Sequence, residues 1–382
     1  MRVSPIFAYP DGVDSARISP AAVAGLLDLR TPRVLLGWTP EPREWLADEA
    51  VHGVTVMAGY GLAGAVTAGR IRYVPVRLSA VPRFARSARP DVAVVTGVRR
   101  GSELAFLGSV GWGPAAAEAA QYVVVEVDDA AEDIGAPVIP GNIAAIVPRI
   151  RGPLPAARAP DTVELAIGAG VASLLPDDPT IQLGPGGIAA AIVASLTRPV
   201  RIWSGLLTDA MAGLAGRGLL RGKVTAGYVW GDSPIAELAR AGRLSLRPVE
   251  ETHDITRVAA IPRFVACNTA LQVGLDGSVN VERLGARLIT GIGGHADYSA
   301  AAANSKGGIS LIALRSTNAR GGSTIVPRVD TVSTPRCDVE VVVTEHGIAD
   351  LRGADDGERC SKLIEVAAPE HRAELLNAST YG

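Results

Sequence analysis

The feature that most restricts the fold is an alternation in the first third of the chain. Short runs rich in β-branched residues recur there: "RVLLGW" (33–38), "GVTVMAG" (53–59), "RYVPVRL" (72–78), "DVAVVTGV" (91–98) and "YVVVEVD" (122–128). A strand with one wet face alternates apolar and polar residues. These runs are apolar almost throughout, the pattern of strands covered on both faces. Helices supply such cover, and "PREWLADEAV" (42–51) and "GPAAAEAAQ" (113–121) are predicted helices between the runs. Strands alternating with helices predict an α/β fold with parallel or mixed sheets. Aromatic residues make up only 4 % of the chain, so the layers must pack through Ala, Val, Leu and Ile. The 43 glycines suit tight strand-to-helix turns.

The alternation is interrupted by the proline-rich "VPRIRGPLPAARAPD" (147–161), which can form neither a helix nor a central strand. The 382 residues suffice for two ordinary domains. The predicted division is an N-terminal α/β domain over 1–150, a linker over 151–160 and a second domain over 161–382. "DTVELAIGAGVASLL" (161–175) restarts as a helix capped by Asp161 or Thr162, with Val163, Ala166, Ile167 and Gly170 on one face. Further on, "LRGADDGERCSKLIEVAAPEHRAELL" (351–376) reads as two helices broken at Pro369.

A net charge of −2 supplies no field to recruit nucleic acid or an anionic membrane. The three cysteines (Cys267, Cys337, Cys360) and five histidines show no metal-ligand spacing, so neither a metal site nor a disulfide framework is expected. "MRVSPIFAYPDG" is not a signal peptide, and no apolar window reaches transmembrane length. A cytoplasmic protein is expected.

Three stretches carry candidate chemistry. "QLGPGGIAAA" runs from strand through glycines into a helix, and Gly184, Gly186 and Gly187 there can present backbone N–H groups to a phosphate. It is neither GxGxxG nor a P-loop, and glycines in a tight turn would look the same. In "GIGGHADYSAAAANSKGGISLIAL" (291–314), Gly291, Gly293 and Gly294 let a ligand approach the backbone. His295 and Asp297 follow, either as a polarising pair or with Asp297 capping a helix that begins near Tyr298. "VVVTEHGIADLRG" (341–353) is a strand entering a charged loop, where Glu345 and His346 form either an acid–base pair or a solvated surface.

Taken in order, "GPGGIAAAIVASL", "NTALQVGLDGSVNVE", "GIGGHADYSAAAANSKGGISLIAL", "STIVPRV" and "VVVTEHGIADLRG" resemble the acetyl-CoA hydrolase/transferase family, which includes 4-hydroxybutyrate and acetate CoA-transferases. The resemblance is strong over about 160–375 and looser before that. It implies two open α/β-sheet domains of the class I CoA-transferase type, with the active site in the cleft between them. It implies coenzyme A and its acyl thioesters as substrate rather than as a tightly bound cofactor, a small carboxylic acid as partner, and a homodimer. The family's reaction runs through a glutamate carboxylate that attacks the thioester, giving an acyl-glutamyl anhydride and then a glutamyl-CoA thioester.

The family pattern around that glutamate, N-S-A-L-E-V-D-L-x-G, is here Asn268-Thr269-Ala270-Leu271-Gln272-Val273-Gly274-Leu275-Asp276-Gly277. Gln272 stands at the nucleophile position. An amide oxygen is neutral and its nitrogen lone pair is delocalised, so Gln272 forms no anhydride readily. Strand alternation predicts Asn268, Ala270 and Gln272 on one face. The resemblance also implies that Gly184, Gly186, Gly187, Gly291, Gly293, Gly294 and Asp297 hold the CoA thioester, with Gly347 in a loop near it. Arg328 is a candidate for a carboxylate or phosphate. Three readings remain open: thioester chemistry by another group, such as water activated by Glu345 or His346; a silent acyl-CoA-binding regulator or scaffold; and an introduced substitution.

Overall fold

The computed structural model describes residues 4–149, 152 and 158–379. Most of the predicted linker over 151–160 lies outside the described residues. The chain divides by contact into two units: Met1–Pro155 with Gly205–Asp209 and Lys223–His253, and Ala156–Ser204 with Ala210–Gly222 and Asp254–Gly382.

The first unit is built on eight strands: β1 (Ile6–Tyr9), β2 (Arg33–Leu36), β3 (His52–Thr55), β4 (Ile71–Tyr73), β5 (Val92–Arg100), β6 (Glu103–Phe106), β7 (Tyr122–Val127) and β8 (Ile143–Pro148). Their order is β4-β3-β2-β1-β5-β7-β8, with parallel neighbours and β6 folded back antiparallel onto β5. The continuous apolar runs are accounted for: Val92, Val94 and Val124 on neighbouring central strands have no solvent exposure. Three segments differ from expectation. The run 53–59 is strand only to Thr55. The run 72–78 forms a strand only to Tyr73, because Pro75 has no N–H for the ladder. The segment 42–51 is only a 3₁₀ turn, Glu44–Ala47. Arg43 is drawn into the interior, where its guanidinium donates to the Ser15 carbonyl and hydroxyl at 3.1 and 2.8 Å. The Asp48 carboxylate accepts the Ala50 N–H, which competes with a further helical turn.

The next strands are β9 (Thr180–Leu183), β10 (Arg201–Thr208), β11 (Val224–Trp230) and β12 (Leu244–Leu246). The parallel pair β11–β12 belongs to the first unit, whereas the sequence reading assigned it to the domain over 161–382. Packing decides the matter. The Tyr228 hydroxyl donates to Asp11 Oδ2 at 2.8 Å, and Tyr228 forms an isolated bridge with Ser109. Gly111, at φ +44°, leaves no room for a Cβ against the Tyr228 ring.

The remaining strands are β13 (Phe264–Asn268), β14 (Gln272–Gly274), β15 (Val279–Asn280), β16 (Arg283–Leu284), β17 (Arg287–Leu288), β18 (Ile309–Ala313), β19 (Ile325–Val326), β20 (Val341–Thr344) and β21 (Gly347–Asp350). In the second unit the main sheet runs β10-β9-β13-β18-β20-β21, parallel except for the β20–β21 hairpin. A small sheet, β15-β14-β19, stands beside it. The helix Thr162–Leu174 is capped by Asp161 in a reciprocal box with Glu164. Its buried side is Glu164, Ile167, Gly168 and Val171, not the predicted 163/166/167/170 face, and Ala166 is exposed. This helix is apolar nearly all round, so composition does not choose its face. Gly168 chooses it, lying against the backbone of Ala191 in the helix Gly187–Ser195. Asp356–Glu365 and Arg372–Ala378 are the two helices expected on either side of Pro369. Among the described residues no helix is long and apolar enough to cross a membrane.

Candidate functional site

The stretch "NTALQVGLDGSVNVE" supplies the centre of the candidate site. β13 ends at Asn268 and the chain then leaves the main sheet, so β14 belongs to the small one. The predicted shared face of Asn268, Ala270 and Gln272 is therefore not continuous: alternation holds along one strand, and residues 269–271 are not strand. Asn268 is buried, with its amide nitrogen 3.4 Å from both the His295 carbonyl and the Ser299 hydroxyl. Beside it on β13, burial pushes the Cys267 thiol up to about 12, which removes it as a thiolate nucleophile.

Gln272 opens β14 and is half-buried. The Asp276-Gly277 turn, with Gly277 at φ +91°, returns the chain antiparallel. It sets Val273 opposite Val279 and Gln272 opposite Asn280. Gln272 Oε1 accepts from Asn280 Nδ2 at 2.9 Å. Asn280, 1 % exposed, also donates from Nδ2 to the Arg283 carbonyl at 2.6 Å. Its Oδ1 accepts the backbone N–H groups of Glu282 and Arg283 at 2.9 and 3.1 Å. The two acids of the hairpin are engaged elsewhere. Asp276 accepts from the Ser278 N–H and hydroxyl, each at 2.8 Å, and the buried Glu282 accepts from the Ser333 hydroxyl at 2.6 Å.

The glycine-rich stretch reaches the helix His295–Asn304 with Gly293 at φ +58° and Gly294 in the N-cap position. Asp297 is thus not the cap: the helix begins two residues before it, and Asp297 lies buried in the first turn, where a carboxylate complements the helix dipole. His295 is buried and its Nδ1 is 2.8 Å from the Thr334 hydroxyl. Burial pushes its imidazole down to about 4, with the Thr269 backbone opposing the shift, so the ring is neutral near pH 7. Thr334 in turn bridges to Val279 of β15. His295 therefore links its own helix to the segment beside the Gln272 hairpin.

The other glycine loop divides in character. A Cβ on Gly184 or Gly186 would meet open space, and Gly186 (φ +115°) is the N-cap of the helix Gly187–Ser195. At Gly187 the Glu164 carboxylate closes in. Glu164 is buried, pairs with Arg158 and accepts the Asp161 N–H at 3.0 Å. The Arg158 guanidinium holds the Glu164 carboxyl below its usual range. A protein carboxylate thus already lies against the first residue of this helix, leaving Gly184 and Gly186 as the open part of the loop.

Glu345 and His346 form the two-residue turn between β20 and β21, with Thr344 opposite Gly347 at φ +148°. Both Glu345 oxygens are used: Oε1 accepts the Ser316 hydroxyl at 2.7 Å and Oε2 the Ser316 N–H at 2.9 Å. His346 Nε2 lies 4.0 Å from Glu345 Oε1, beyond hydrogen-bond distance. Arg328 is exposed. Asn280 and Thr334 were not among the residues expected at the site. Counting back across the Asp276-Gly277 turn would have found Asn280.

Comparisons with known proteins extend from this half to nearly the whole chain. The family described as "Acetyl-CoA hydrolase/transferase C-terminal domain" matches residues 235–379. A 4-hydroxybutyrate coenzyme A transferase of Clostridium kluyveri is 31 % identical over 340 residues, covering 82 % of this chain and 78 % of that protein. An acetyl-CoA hydrolase of Eremothecium gossypii is 24 % identical over 445 residues, covering 96 % and 84 %. The crystal structure of RipA from Yersinia pestis superposes with a TM-score of 0.83 at 25 % identity, covering 98 % of this chain and 93 % of the other.

Proposed function

The chain belongs to the acetyl-CoA hydrolase/transferase family, and on that premise we propose that it acts on the CoA thioester of a small carboxylic acid without forming a glutamyl intermediate. The feature that supports the second part is Gln272, an amide where the sequence resemblance puts the family's nucleophile, held by Asn280. Expelling ammonia from that amide would be needed to reach a glutamyl-CoA adduct, and neither acid of the hairpin is free to substitute. The acyl group then passes to water. Of the two groups expected to activate it, Glu345 has both oxygens committed to Ser316, which leaves the His346 imidazole. Water oxygen bonds to the thioester carbon, its proton goes to His346, and the C–S bond breaks as the CoA thiolate departs and recovers a proton. Gly184, Gly186, Gly291, Gly293 and Gly294 hold the thioester and its phosphates through backbone N–H groups. Gly347 lets the turn lie close, and Asp297 fixes the helix behind the glycines.

The test is to incubate the protein with acetyl-, propionyl- and butyryl-CoA, with and without labelled acetate. Thiol release without label exchange is expected. Label exchange without thiol release means covalent transfer and defeats the reasoning about Gln272. Binding without either reaction means a silent acyl-CoA-binding protein, and absence of binding removes the proposal altogether.

A further inference from the structure

We infer that Asn280 is a positioning residue that turns the Gln272 amide so that its NH₂, not its oxygen, is presented to the acyl carbonyl. Asn280 has no alternative orientation. Its oxygen faces two backbone N–H groups, of Glu282 and Arg283, which can only donate. Its nitrogen faces the Arg283 carbonyl, which can only accept. With those three contacts set, the second Asn280 proton points at Gln272, and only Gln272 Oε1 can receive it. The Gln272 NH₂ is left on the far side.

This inference rests on the reading of Gln272 as the group that faces the thioester. An NH₂ there gains strength as negative charge develops on the carbonyl oxygen during attack, which is electrophilic rather than nucleophilic assistance. The Asn280 contact would serve a carboxylate equally, since Asn280 offers only a donor at that point. The mount is thus suited to either residue, and the identity at position 272 decides between a donor and a nucleophile.

The chain contains three glutamines, Gln121, Gln182 and Gln272, so protein labelled with ¹⁵N in glutamine side chains gives three amide signals. Gln272 is assigned by its loss in Gln272→Glu. In the free protein its NH₂ protons should exchange readily with water, and butyryl-CoA should shift this signal more than CoA alone does. In Asn280→Asp the amide turns over to donate to the new acceptor. The signal should then become protected, and the preference for butyryl-CoA over CoA should fall by about three- to tenfold, the range of one neutral hydrogen bond. Butyryl-CoA binding that leaves the Gln272 signal unmoved overturns the inference. If butyryl-CoA does not bind, the functional reading fails on its own, and orientation is still decided in the free protein, where a protected Gln272 NH₂ refutes it. That measurement also decides the case if Asn280→Asp does not fold.

Discussion

Replacing Gln272 by Glu and by Leu should separate two properties of this position. Asn280 is 1 % exposed, and its two amide protons go to the Arg283 carbonyl at 2.6 Å and to Gln272 Oε1 at 2.9 Å. Gln272→Leu strands one of those protons, and a buried donor without a partner costs about 1–3 kcal/mol. Leucine recovers only about 0.5–1 kcal/mol at this half-buried position, since partial burial returns part of the transfer free energy, so the net loss is about 1–2 kcal/mol. In a body of this size that is roughly 2–8 °C in Tm. Gln272→Glu keeps an acceptor and makes the bond charge-assisted, offsetting the cost of half-burying the charge, and should stay within about 0.5 kcal/mol of the parent. Calorimetry with urea unfolding reads both, with transitions of the two units followed separately. On the proposed reading of position 272, the same Glu variant opens the family's route. Its carboxylate attacks the thioester carbon and expels CoA thiolate. The thiolate then attacks the anhydride at the glutamyl carbon and releases the free acid. Labelled-acetate exchange should therefore appear in Gln272→Glu and be absent from Gln272→Leu. A Glu variant as unstable as the Leu variant would refute the Asn280 contact. A stable, ligand-binding Glu variant without exchange would show that position 272 alone does not decide the chemistry.

Gly187→Ala places a methyl group against the Glu164 carboxylate, and overpacking of this kind costs about 1–3 kcal/mol; thermal unfolding should show the loss, while Gly184→Ala, which meets open space, should not. The His253 and His295 imidazoles are pushed down by burial to about 3 and about 4. The unfolded chain binds protons there near pH 6.5 and the fold does not, so both contribute stability fully present above about pH 6.5. It is lost as pH falls towards 4. Measured from pH 7 to 4.5, the Tm of His295→Gln should fall less steeply than that of the parent. An equal slope would show that His295 is not held neutral. His346→Gln should reduce thiol release by about 100-fold or more with binding of the CoA ester retained; an unchanged rate would remove His346 as the base.

Much of the fold was readable because burial on both faces marks consecutive residues of a strand: Val92–Val95 of β5 and Val123–Val125 of β7 are apolar without interruption. The grouping of β11 and β12 with the first unit was not legible, because the contact that ties them there is long-range. The Tyr228–Asp11 contact links residues 217 positions apart and leaves no local trace. The helix Thr162–Leu174 hid its buried face for the opposite reason, being apolar in too many directions. At the candidate site, the Asp-Gly turn made the hairpin legible, and its register made Asn280 findable. The orientation of the Gln272 amide was not legible at any resolution of pattern. It follows from the bend after β15, which brings two backbone N–H groups and one carbonyl around a single asparagine. Side-chain alternation carries no information about which end of an amide points where; backbone groups with only one hydrogen-bonding role do, and at this hairpin they make Asn280 as informative as Gln272 itself.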